Sequence, residues 1–106
     1  MNTSTHKLQS DFCKALAHPS RILIIELLGQ REHSFTELME QTGLLKSNLS
    51  QHVSILHGMG MLNYRKEGQA KYYRLTYPRV GEIVTLIRSQ LKDYFDEQGE
   101  LMANMN

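Results

Sequence analysis

Apolar residues recur with helical spacing through the first sixty positions and then switch to strict alternation before helical spacing returns. Leu8, Phe12, Ala15 and Leu16 fall at i, i+4, i+7 and i+8, one face of a first helix over about 6–17. The His18-Pro19 step ends it. Proline, pre-set for helical φ and with no amide to satisfy, then opens a second helix reaching about residue 28. Ile22, Leu23, Ile24, Ile25, Leu27 and Leu28 cover most of its circumference, so it is predicted to be the central buried helix. Ser34 and Glu37 form a Ser-x-x-Glu capping box for a third helix, in which Leu38 points inward and Gly43 supplies the left-handed stop. A fourth helix, 46–57, turns Leu49, Val53 and Leu56 to the core before Gly58-Met59-Gly60 breaks it.

The alternating stretch occupies 62–75: Leu62, Tyr64 and Lys66 on one face, then, after a glycine loop at 67–69, Lys71, Tyr73 and Leu75. A short glycine loop between alternating runs predicts a β-hairpin. A fifth helix begins near Pro78, with Val80, Ile83, Val84, Ile87, Leu91, Tyr94 and Phe95 along one seam. That is more apolar surface than a terminal helix on a small core can bury by itself. The predicted fold is mainly α with a small β-hairpin: a winged helix-turn-helix of five helices with a two-stranded wing. One domain over 6–97 is expected, with frayed ends at 1–5 and 98–106.

Composition sets bounds without changing this picture. A chain of 106 residues, 41% hydrophobic and 22% charged, is an ordinary globular domain. It buries roughly 65% of its unfolded surface, so a second subunit would add substantially to its core. The longest apolar run is Ile22 to Ile25 and the N-terminus has no signal-peptide core, so a cytoplasmic location without membrane association is expected. The single cysteine, Cys13, fits a reducing compartment and excludes an intrachain disulfide.

Charge does change it. The net charge is only +1, yet residues 43–79 hold Lys46, Arg65, Lys66, Lys71, Arg74 and Arg79 against one acid, Glu67, leaving a net −4 elsewhere. Such asymmetry points to a surface for a polyanion. The outward face of the fourth helix carries Lys46, Ser47, Asn48, Ser50, Gln51, Ser54 and His57, with no carboxylate between Gln41 and Tyr64. Gln51 has the geometry to pair with adenine and Lys46 with guanine. His52 is expected to orient the helix or touch a phosphate, and Arg65, Lys66, Gln69 and Lys71 to contact the backbone or minor groove from the wing. Arg74 and Tyr72 either join them or cover the hairpin's outer face. No nucleophile–base arrangement, phosphate-binding loop or His-x-x-x-His pair occurs, so neither enzyme activity nor a cofactor is expected.

Three ordered segments resemble the ArsR/SmtB family of bacterial winged-helix repressors: Lys14-Ala15-Leu16-Ala17-His18-Pro19-Ser20-Arg21, Gly43-Leu44 followed by Ser47 and Ser50-Gln51-His52-Val53, and Arg65-Lys66-Glu67-Gly68 followed by Tyr72-Tyr73-Arg74-Leu75. The resemblance implies a homodimer through the first and last helices, here Leu8, Phe12, Ile83, Ile87, Leu91, Tyr94 and Phe95. It also implies double-stranded DNA as partner, and repression from an inverted-repeat operator. The metal-sensing positions differ. Ser34 and Thr36 stand where thiophilic-metal sensors place cysteines, and the last helix has no histidine for an intersubunit zinc site, so no metal is expected. Leu45 replaces the usual serine or threonine before the fourth helix. Since leucine cannot cap, either the helix starts later on Ser47 or Asn48, or Leu45 is buried. Cys13 is a candidate regulatory thiol for a redox- or sulfide-responsive repressor, with burial as a small apolar residue the favoured reading. The competing function is a winged-helix protein-interaction module without DNA binding. The sequence names no inducer.

Overall fold

The computed structural model describes residues 3–99. Five helices, α1 (Thr3–Leu16), α2 (Pro19–Gln30), α3 (Phe35–Thr42), α4 (Lys46–Gly58) and α5 (Arg79–Gln98), surround a small sheet of β1 (His33–Ser34), β2 (Leu62–Glu67) and β3 (Ala70–Leu75). No helix among the described residues is long and apolar enough to cross a membrane.

The central helix is the one its apolar circumference predicts. Ile24 and Ile25 of α2 are fully buried, and they share the core with Leu38 of α3, Leu49, Val53 and Leu56 of α4, Leu62 of β2 and Tyr73 of β3. Met61 is buried where this core meets the hairpin, and its carbonyl accepts the Thr76 amide at 3.0 Å. Residues from three helices and the sheet therefore interlock around one apolar centre, which fixes α4 relative to everything else.

Two element limits differ from the sequence reading. α1 begins at Thr3, because the polar run before His6 contains no proline or glycine to stop it. At the other end α5 includes Gln98 and closes on Gly99 at φ 69°, whose amide reaches the Phe95 carbonyl at 3.0 Å. Residues 3–5 and 98 thus lie within these helices, while Met1, Asn2 and 100–106 lie outside the described residues.

The sheet has three strands rather than two, in the order β1-β3-β2. β2 and β3 form the expected hairpin, pairing Leu62 with Leu75, Tyr64 with Tyr73 and Lys66 with Lys71. The additional strand pairs His33 with Tyr73 and Ser34 with Tyr72 on the other edge of β3. His33 is buried there, its Nδ1 2.9 Å from the Arg31 carbonyl. A strand of two residues has no readable period, and its pairing depends on β3 far along the chain.

At the crossing of α2 and α5, a Cβ built on Gly81 would sit 3.6 Å from the Gly29 Cα and 3.2 Å from Leu75 Cδ1. The paired glycines permit this close approach. Nearby, Arg88 Nη1 donates to Glu26 Oε2 at 2.9 Å and ties the same two helices together.

The predicted capping box is fully formed. Ser34 Oγ accepts the Glu37 amide at 3.0 Å, and Glu37 Oε1 accepts the Ser34 amide at 2.9 Å. The other carboxylate oxygen accepts from Arg31 Nη2 at 2.9 Å. The Ser34 amide first, and Arg31 next, hold the Glu37 carboxyl down at about 2 from an ordinary 4.5. A depressed carboxyl stabilises the fold above its unfolded value and loses that contribution as pH falls through its folded one. Thermal melts should therefore show Glu37→Gln less stable than wild type at neutral pH, with the gap closing between pH 4.5 and about 2. Parallel pH profiles for the two proteins would contradict this role.

Candidate nucleic-acid interface

The helix-turn-helix is built around Gly43. Its φ of 72° gives α3 a left-handed C-cap, with its amide on the Met39 carbonyl at 2.9 Å. Thr42 Oγ1 donates to the Leu38 carbonyl at 2.6 Å and accepts the Leu44 amide at 3.3 Å, stitching the turn to the end of α3. Leu44 packs against the core. Leu45 is the N-cap of α4, extended in backbone, without a side-chain capping bond and 71% exposed. Neither arrangement expected from sequence occurs: the helix does not start late on Ser47 or Asn48, and Leu45 is not buried. Leu44 takes the inward site of the turn and leaves Leu45 outside it.

Because Leu49, Val53 and Leu56 anchor α4 inward, Lys46, Ser47, Asn48, Ser50, Gln51 and Ser54 are all exposed on its other side. Side chains of this length, amide and hydroxyl in chemistry, can enter a major groove without repelling phosphate. His52 departs from the group. Its ring lies 4.5 Å from that of His18, whose Nδ1 accepts the Ser20 amide at 3.1 Å and caps α2. Burial chiefly, then the nearby His18 and Arg21, lowers the His52 pKa from its ordinary 6.5. The ring thus packs α4 against the start of α2.

The wing cations differ in how far they are engaged by neighbouring side chains. Arg65 grips Glu32 with two nitrogens, Nε at 3.2 Å and Nη2 at 2.8 Å, and Glu67 with Nη1 at 2.6 Å, while its guanidinium lies 4.6 Å over the Tyr72 ring. These carboxylates keep Arg65 protonated, and Arg65 in return holds the Glu32 carboxyl below its ordinary value. Arg65, expected as a DNA contact, here braces the wing against the segment entering β1, because the β1–β3 pairing brings Glu32 beside it. Lys66 and Gln69 are exposed at the tip. Lys66 stands directly opposite Lys71, a like-charge cross-strand pair that destabilises an isolated hairpin and favours an anion between them. Lys71 is half-buried with its Nζ 4.7 Å from the Tyr64 ring. Arg74 is exposed and Tyr72 half-buried on the outer face.

On the far side, α1 and α5 diverge around an apolar cleft of about 1270 Å³ lined by Leu8, Phe12, Leu16, Ile83, Ile87 and Leu91. The α5 seam splits along its length: Val80 and Val84 are buried within the chain, whereas Ile83, Ile87, Leu91 and Tyr94 are exposed and Phe95 half-buried. Cys13, expected to be buried, is exposed and borders this cleft, because no neighbouring element among the described residues covers its face of α1.

Residues 18–64, from the α2 cap to the middle of β2, match the bacterial regulatory protein arsR family. The HTH-type transcriptional regulator Rv0081 of Mycobacterium tuberculosis is 40% identical over 101 residues, spanning 94% of this chain and 89% of that protein. The chain belongs to the ArsR family. Its fold is correspondingly close to the crystal structure of Rv0081, with a TM-score of 0.83 at 36% identity, covering 92% of this chain and 98% of the other. HlyU of Vibrio cholerae, a transcriptional activator, superposes with a TM-score of 0.75 at 31% identity over 85% of this chain and 97% of that one. The repressor BigR of Xylella fastidiosa gives 0.72 at 26% identity, over 84% and 95%. The ArsR winged helix-turn-helix thus makes this chain a DNA-binding transcriptional regulator, and the proteins it resembles include both signs of regulation.

The sequence reading missed the Arg65–Glu32 brace, the His18–His52 contact and the Gly29–Gly81 crossing. Each joins elements distant in sequence. The exposed, uncapped Leu45 also yields a stability prediction. Leu45→Ser, which provides the missing cap acceptor, should raise the unfolding free energy by about 1 kcal/mol in denaturant titrations. An unchanged midpoint would mean that the first turn of α4 gains nothing from a cap.

Proposed function

We propose that this ArsR-family regulator acts as a homodimeric repressor, binding an inverted-repeat operator through α4 in the major groove and through the wing on the flanking backbone. The observation that carries the reading is the carboxylate-free face of α4, with Lys46, Ser47, Ser50 and Gln51 exposed beside a wing tip bearing Lys66, Gln69 and Lys71. Gln51 and Lys46 read bases, Ser47, Asn48 and Ser50 supplement them, and the wing cations hold the duplex in register. His52 and Arg65 act indirectly by fixing α4 and the wing.

The apolar cleft between α1 and α5 supports the dimer. Leu8, Ile83, Ile87, Leu91 and Tyr94 present a contiguous aliphatic and aromatic surface of the kind that stable homodimers bury. A second copy related by a two-fold axis covers this surface, and Cys13 beside it, and presents two α4 helices to the same side of a duplex. Two-fold symmetry then sets half-sites about 10 bp apart or a multiple of that. Repression follows where the occupied operator overlaps promoter elements, and the likeness to the Xylella repressor supports this sign.

Affinity for a selected operator should fall ~10³–10⁵-fold between 50 and 200 mM salt, as for engagement of roughly 6–10 phosphates. A flat salt profile would remove the phosphate-binding wing from the mechanism. Gln51→Ala should relax preference at one base position, whereas Lys66→Ala should weaken binding to all sequences alike; identical profiles across an operator library would refute this division. Ile87→Glu should yield monomers in analytical ultracentrifugation, with loss of cooperative operator binding. Persistence of the dimer in that variant would move the interface elsewhere.

A further inference from the structure

Leu45 breaks a local rule twice. It occupies the N-cap of α4, where a serine, threonine, aspartate or asparagine would satisfy a first-turn amide, and it makes no capping bond. It is also a large aliphatic side chain left 71% exposed, although the adjacent Leu44 is packed against the core. Neither capping nor packing within the chain accounts for a leucine here, and rule-breaking positions of this kind concentrate at functional sites.

Its surroundings indicate what the side chain meets. Between residues 36 and 75 only one other large apolar residue, Tyr64, is exposed. The Tyr64 ring is already occupied, with Lys71 Nζ 4.7 Å away and the rings of His57 and Tyr73 each at 5.6 Å. Leu45 is therefore the sole unengaged apolar group on an otherwise polar and cationic face, next to exposed Lys46, Ser47 and Asn48 at the start of the helix. Residues at that end of a recognition helix lie closest to base edges. A leucine has no hydrogen bond to give there and gains nothing from a phosphate. Among base edges in the major groove, the apolar feature it can pack upon is the C5-methyl of thymine.

We infer that Leu45 is a specificity-determining residue that selects thymine in each half-site by packing on its C5-methyl group. The inference rests on the proposed entry of α4 into the major groove. It explains the missing cap, since a serine at this position would steady the helix and leave the methyl without a partner. It also assigns Leu45 a role unlike those of Gln51 and Lys46, which discriminate by hydrogen bonding.

The test begins with sequences selected from randomised duplex DNA by the full chain, followed by replacement of each half-site thymine in turn with deoxyuridine, which deletes only the methyl. Wild type should lose ~4-fold in affinity at one thymine per half-site, the worth of one buried methyl group. Leu45→Ala should bind the thymine and uracil duplexes equally, with an unchanged salt slope, and Leu45→Met should keep the preference. Leu45 is exposed, so these variants are expected to melt near wild type, and Leu45→Met serves as the folded control. If wild type binds a selected sequence but no thymine-to-uracil change depends on Leu45, this inference fails and the DNA-binding reading stands. If selection enriches no sequence at all, the sequence-specific reading fails and takes this inference with it.

Discussion

Burial of aliphatic side chains between α2, α3 and α4 is the constraint on which the DNA-facing surface depends. Ile24, Ile25, Leu38, Leu49 and Leu56 are each fully removed from solvent, so α4 cannot roll about its axis without exposing two leucines. Truncating any one of them to alanine would cost about 2–5 kcal/mol, a large share of the stability of a domain this size. Placement of Ser47, Ser50 and Gln51 on the outside is the complement of that burial: the core decides what the helix can show to a duplex. The His18–His52 contact adds a second restraint from the N-cap of α2.

The wing is held by different physics. The base of the hairpin is buried through Leu62 and Tyr73, and beyond it polar contacts take over, with Arg65 joining Glu32 to Glu67 and lying against Tyr72. Of the remaining cations, Lys66 and Lys71 oppose each other across the strands near the turn, and Arg74 is exposed further along β3. A hairpin optimised for its own stability would pair unlike charges there. The wing keeps like charges opposed near its turn, a distribution suited to an anionic partner.

The opposite side of the molecule has an apolar excess. α5 crosses α2 closely at Gly29 and Gly81, buries Val80 and Val84, and then diverges from α1 with Ile87, Leu91 and Tyr94 uncovered. The glycine crossing sets the angle at which α5 leaves the domain and so the width of the cleft. Cys13 borders the same cleft.

Local rules carried much of this protein. The helical periods, the Pro19 start, the Ser34–Glu37 box, the Gly43 stop and the alternating hairpin all appear where the sequence places them, because each depends on residues within a turn or two of one another. The polar face of α4 was legible for the same reason, as the complement of Leu49, Val53 and Leu56. Tertiary structure decided what depends on distant partners. Strand β1 exists only because β3 lies beside it, Arg65 became a brace once that pairing delivered Glu32, and Cys13 is exposed because nothing among the described residues covers its face of α1. Leu45 is the sharpest case: sequence established that leucine cannot cap, but only the packing of Leu44 into the turn left Leu45 facing outward. Periodicity and capping act over single turns of the chain, whereas exposure and ion pairing are settled by which surfaces the folded core brings together.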